Sequence, residues 1–310
     1  MNSIAWQTTV SMGILMAMGY LIRRKGWVDG HFTGQFSNMM YYTIIPCIIL
    51  SSTINMEFSA QQLKNGAMMM GLSVVFILVM LVFGQGVYCL LGRGEEGRVM
   101  RFSMFYTNFT IMGLALAQLL YGDEGLFYFS MLLVPLRLYS YMTADWMLSG
   151  KRPGQDGKFR WQGLISPLLV YTLTGLLIYI LQIPLPAVLS DTINTASKAM
   201  TPCGMILCGL LLAQTDIRAQ LRSVHLYIFL FCKLILAPLL VLGVIKLMGV
   251  GGMPAQLCVL LASLPVAAAL GAFAAKDHCA PESAAVYIAA STACSVVTIP
   301  LMVALAGMVC

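Results

Sequence analysis

Asn108-Phe-Thr-Ile-Met-Gly-Leu-Ala-Leu-Ala-Gln-Leu-Leu-Tyr-Gly-Asp123 is the stretch on which the fold turns. It is apolar enough to span a membrane, yet it opens on a polar Asn-Phe-Thr step and carries Gly113 and Gln118. Polar residues and glycine at membrane depth mark a helix that is broken or that faces a protein cavity. A second stretch, Ala262 to Asp277 (ASLPVAAALGAFAAKD), lies about half a chain later and is interrupted at Pro265 and Gly271. Two interrupted spans at corresponding places in two halves point to a transport site.

The composition agrees. The 310 residues are 59% hydrophobic and only 10% charged, with a mean hydropathy of +0.85, whereas a soluble domain carries about 25% charged residues. The chain is therefore expected to be an all-α polytopic membrane protein with about ten transmembrane helices of roughly 20 residues each. The net charge of +6 comes from short basic clusters between spans, which is topology information and no sign of nucleic-acid binding. The nine cysteines fall mostly inside spans without metal-ligand spacing, and only three histidines accompany them. They read as small apolar residues, and neither a metal nor a cofactor is implied. No basic residue precedes the first apolar run, so no signal peptide is expected.

Ten spans follow in order: about 5–22, 36–54 with Pro46, 67–91, the Asn108 stretch, 126–148, 163–181, 193–213 interrupted at Pro202, 226–248, the Pro265 stretch and 283–308. Loops after the odd-numbered spans hold thirteen Lys and Arg, against only Lys64 and Lys246 on the other side. The positive-inside rule puts those loops in the cytoplasm and both termini outside, in a cell (plasma or inner) membrane. Asn38, Pro46 and Cys47 recur as Asn194, Pro202 and Cys203 at an offset of 156 residues. An odd number of spans per half inverts the second copy. The expectation is a 5+5 inverted repeat with broken, crossing helices 4 and 9: residues 1–150, a cytoplasmic linker at 151–162, and residues 163–310.

In such a repeat the two breaks meet near the midplane. Helix N-termini exposed there carry about half a positive charge each and favour an anion, most simply a carboxylate. Asn108 and Thr110 would complete its hydrogen bonds, or else satisfy backbone freed by the break. Arg137, Lys198 and Lys233 lie within spans, where a charge is expensive and signals function. Arg137 is the most central, a candidate for pairing substrate or for gating; Asp145, about 12 Å along the helix, is too far for direct contact. Lys198 lies near the outer side, where it can snorkel, and Lys233 reads as support for the crossover. No acidic residue is convincingly central, so coupling to H+ or Na+ stays open. Tyr106, Tyr139 and Tyr141 line the path or simply pack.

These residues resemble a known family. Asn108, Met112–Gly113 and Tyr121–Asp123 match the fourth-span pattern of the auxin efflux carrier family, which includes the plant PIN auxin exporters and bacterial malonate-type carriers. Leu264–Pro265, Phe273–Ala274, Pro281 and Pro300–Leu301 are similar to its later spans, and Lys233 stands five residues before Pro238 as the family's basic residue does. The chain departs from the pattern at Ala115, where the family usually has proline, and it lacks the large cytoplasmic loop of the long plant members, so it is similar to the compact bacterial type.

The resemblance implies a scaffold of helices 1, 2, 6 and 7 and a transport domain of helices 3–5 and 8–10 that slides like an elevator, a homodimer formed through the scaffold, and an organic anion as substrate. It implies a substrate-binding role for Asn108, with Thr110, Gly113, Arg137, Tyr139 and Pro265 around it. Pro46, Pro202 and Lys198 would lie on the scaffold side of the cavity, with Lys233 and Gly271 supporting the crossover. A secondary transporter of a small carboxylate or dicarboxylate is the leading reading. Alternatives are a sodium-coupled carrier of the bile-acid type and a membrane receptor that does not transport. An enzyme would need histidine boxes or paired aspartates within spans, and the sequence has neither.

Overall fold

The break in the first interrupted span falls before Phe109, and it is made by a three-residue non-helical step in which Tyr106 (φ −86°, ψ 79°) and Asn108 (φ −75°, ψ 53°) each turn the chain. The computed structural model describes residues 2–56, 58–92, 94–149, 167–215 and 223–310. The helices are α1 (Asn2–Arg24), α2 (Gly30–Met39), α3 (Ile45–Ile54), α4 (Ala60–Leu91), α5 (Glu95–Phe105), α6 (Leu114–Ser149), α7 (Pro167–Leu181), α8 (Ala187–Lys198), α9 (Met200–Leu212), α10 (Val224–Phe231), α11 (Ala237–Leu247), α12 (Gly252–Ser263), α13 (Ala269–Lys276) and α14 (Pro281–Val309). Among the described residues, wider turns join some of them: π1 (Met40–Ile44), π2 (Phe109–Gly113) and π3 (Cys232–Leu236). Among the described residues the only β-type pairing is an isolated antiparallel bridge between Thr107 and Val266.

Among the described residues, five helical segments are long and apolar enough to cross a bilayer: Ala60–Leu91, Phe109–Ala144, Ala187–Leu212, Val224–Leu247 and Pro281–Val309. Phe109–Ala144 holds two helical stretches, separated at Gly122 (φ 66°, ψ −159°), a conformation that glycine alone adopts readily. The bends have local causes. Pro46 and Pro238 each stand at the start of the helix that follows a π turn. Proline has no N–H for the carbonyl four residues back, so the backbone widens just upstream.

Several sequence-based boundaries shift. The second span begins at Gly30 rather than near Phe36, because the carboxylate of Asp29 accepts the Phe32 N–H at 2.7 Å and caps α2. That bond holds the Asp29 carboxyl below the usual carboxylate range. The interruption expected at Pro202 lies at Ala199, between α8 and α9; Pro202 is inside α9 and leaves the Lys198 carbonyl without its helical donor. Gly271 does not interrupt its helix: α13 runs through it. The expected linker at 151–162 lies outside the described residues, as do the side chains of Tyr141 and Asp145.

Two groups of helices make their largest contacts within themselves, while α3 against α6 and α1 against α14 join the groups. α1 lies on α9, and α3 on α7 and α8. Separately, α4 lies on α5 and α6, α12 on α11 and α14, and α13 on α14. The α1–α9 crossing depends on glycine: an added Cβ at Gly209 would stand 2.0 Å from the Met16 carbonyl oxygen, and one at Gly19 would stand 2.2 Å from that of Ile206. Small residues let membrane helices approach to backbone contact, where packing replaces the hydrophobic driving force.

Candidate functional site

α5 stops where Tyr106 leaves the helical conformation, and α12 stops where Leu264 becomes extended. Asn108 N donates to the Pro265 carbonyl at 2.8 Å, and Ala267 N donates to the Tyr106 carbonyl at 3.1 Å. The two breaks therefore satisfy each other's backbone, which inside a bilayer they must. Beyond the crossing, π2 leads into α6, while α13 starts at Ala269. The Asn108 carbonyl accepts from both Met112 N (3.2 Å) and Gly113 N (3.0 Å), closing the first turn.

A cavity of about 420 Å³ lies against this crossing. One wall is Tyr106–Ile111 with Ala267–Ala269. The opposite wall is one face of α2 and π1: Gly30, Thr33, Gly34, Ser37, Asn38 and Tyr41 recur at helical spacing. Leu168, Leu211 and Gln214 close the sides. The first turns of two helices, at Thr110–Ile111 and Ala268–Ala269, thus face one space, and first-turn N–H groups have no carbonyl upstream in their own helix. Among the described lining residues none is charged.

The expected site residues distribute unevenly around this space. Asn108 and Thr110 line it. Asn108 is 6% exposed, and its Nδ2 lies 3.7 Å from Cys208 Sγ on α9. Pro265 stands two residues before the lining, tied to Asn108 through its carbonyl. Gly113 sits where the crossing is tightest: a Cβ there would come within 2.9 Å of Leu264 Cδ1 and of the Phe129 ring.

Arg137 is behind the wall, buried, its guanidinium 6.0 Å above the Phe109 ring and its Nη1 donating to Thr172 Oγ1 at 3.1 Å. Tyr139 is further from the cavity, its ring 5.5 Å from that of Phe105, the last residue of α5. Lys233 is fully buried, and its Nζ donates to the Met104 carbonyl at 2.8 Å, near the end of α5. It thereby satisfies one of the carbonyls that the break leaves without a helical donor. Lys198 is exposed, Pro46 and Pro202 lie inside α3 and α9 away from the lining, and Gly271 meets only Ile288, in ordinary contact at 3.6 Å.

The cavity residues missed in the sequence are Thr33, Ser37 and Gln214, with Asn38 noted there only as a repeat landmark. Their signal was available: small and polar residues at positions 30, 33, 34, 37 and 38 make a single helical stripe.

A sequence profile of the family described as membrane transport protein matches residues 6–152 and 156–303. The chain belongs to this family, the auxin efflux carriers. It is a transporter family and not an enzyme family, so the protein is a multi-pass membrane transporter. No curated protein matches the chain.

Proposed function

We propose that the protein is a secondary transporter of a small organic anion, bound by its carboxylate at the crossing of the two broken helices. The observation that carries this reading is the convergence of two helix starts, Thr110–Ile111 and Ala268–Ala269, on one cavity beside Asn108 and Thr110. Partial positive charge and spare N–H donors attract an anion without a cationic side chain.

In this reading the chain crosses the membrane ten times as two inverted five-span repeats. Support comes from the element order. A single helix, a bent helix, a long helix, a short helix ending in a non-helical segment and a final pair appear first as α1 to α6 and again as α7 to α14. Helices α1–α3 and α7–α9 form a scaffold body, and α4–α6 and α10–α14 form a transport body, in keeping with the closer packing within each group. The transport body slides against the scaffold and carries the crossing with it. Basic residues such as Arg23 and Arg24 at the end of α1 then mark the cytoplasmic side, toward which the cavity extends past Gly30 and Gln214. Both termini are extracytoplasmic, and two copies pair through their scaffolds.

A thermal-shift screen of the purified protein against organic anions tests the site. A ligand present at a hundred times its Kd adds about 2.7 kcal/mol. The expected result is stabilisation of the wild type by a carboxylate and loss of the response in Asn108→Ala, whose backbone bonds remain. An equal response from Asn108→Ala would remove the carboxylate from this site.

A further inference from the structure

Arg137 and Thr172 belong to different bodies. Arg137 is on α6 and Thr172 on α7, both are almost fully buried, and the 3.1 Å bond between them crosses the surface along which the bodies would slide. Two turns along α7, on the same face, Tyr179 also reaches the transport side: its hydroxyl accepts from Ser59 N at 3.0 Å and donates to Gln62 Oε1 at 3.0 Å, just before and within α4. Between these positions the face carries only Gly175 and Leu176. A guanidinium leaving Thr172 along this face passes two apolar turns before it meets another polar side chain. A buried charge in that position has discrete resting places rather than a smooth track.

We infer that Arg137 is a positioning residue that latches the transport body to α7 through Thr172 and favours the arrangement described here, with its cavity at the crossing. The inference rests on the sliding reading above and goes beyond it, because it assigns Arg137 to the motion instead of to the substrate. Thr172 in turn donates to the Leu168 carbonyl at 2.8 Å, so its oxygen lone pairs face the guanidinium. On its other side the guanidinium touches Phe109, which lines the cavity, so the latch and the binding site share a side chain.

The test is a distance measurement between the bodies by pulsed electron resonance on the full chain in lipid. Spin labels are attached through a ketone-bearing amino acid at Asp191 of the scaffold and Lys276 of the transport body, both exposed, so that native cysteines stay unlabelled. Thr172→Val keeps the shape of the side chain and removes the acceptor. Losing one hydrogen bond to a charged group changes the ratio of the two arrangements by about tenfold. The expected result is a shift of that size away from the present distance in Thr172→Val, with Thr172→Ser restoring the wild-type ratio. Two distances whose ratio is the same in wild type and Thr172→Val would overturn the latch and leave sliding intact. A single distance in every variant would overturn both.

Discussion

Asn108 holds the crossing together with its backbone and faces the cavity with its side chain. The N–H and carbonyl are both engaged, by Pro265 on one side and by Met112 and Gly113 on the other. Substituting the side chain therefore leaves the backbone bonds of the crossing in place. Gly113 is the reverse case, a residue whose importance is entirely steric. A methyl group there meets Leu264 and Phe129 at 2.9 Å. Gly113→Ala is expected to lower stability by about 1–3 kcal/mol, the usual cost of overpacking, read as a lower melting temperature in detergent. An unchanged melt would mean that the crossing has room the structure does not give it. The sequence already singled out both residues. It had no means of showing that a three-residue non-helical step, Tyr106 to Asn108, breaks the helix by pairing with a partner about 160 positions away. Backbone pairing of that range leaves no periodic trace.

At the scale of elements, the legible features were those with a local cause. Arg23 and Arg24 end α1, Pro265 marks the second break, and Asn108 the first. The interruption expected at Pro202 was displaced by three residues, to Ala199, because proline disturbs the turn before it and not its own position. The cavity wall on α2 was missed because its polar stripe lies upstream of the most apolar part of the span. The closeness of α1 to α9 was likewise invisible, since glycines at contact and glycines facing lipid look alike in sequence. They are expected to separate sharply by substitution. Gly209→Ala places a methyl group 2.0 Å from a backbone oxygen and is expected to abolish folding or cost more than about 3 kcal/mol. Gly243→Ala, with nothing within 4 Å, is expected to be neutral or to gain up to about 1 kcal/mol of helix propensity. Yield and melting temperature of the two variants side by side decide it; similar losses would refute the close α1–α9 crossing.

For the whole molecule, the absence of charge among the described cavity residues bears on substrate choice. Two helix starts compensate about one negative charge. A second carboxylate would enter a polar but uncharged space at a desolvation cost without a counter-charge. Monocarboxylates with an apolar body are therefore expected to raise the melting temperature more than dicarboxylates of equal length at equal concentration. A larger shift from the dicarboxylate would require a cation within its reach, and would return Arg137 to the binding site.

The mutual pairing of the two non-helical segments also has a consequence for synthesis. A ribosome delivers Tyr106 and Asn108 to the membrane long before Pro265 and Ala267 exist. Until then the first break lacks its backbone partners, and each unpaired group costs several kcal/mol in hydrocarbon. The nascent first half is expected to wait in a wet or chaperoned environment, with its break closed only when Pro265 and Ala267 emerge. Expressed as two polypeptides cut within residues 151–162, the halves should each be degraded alone and should copurify when made together. Protease resistance of the first half by itself would show that the early chain finds some other way to close its break.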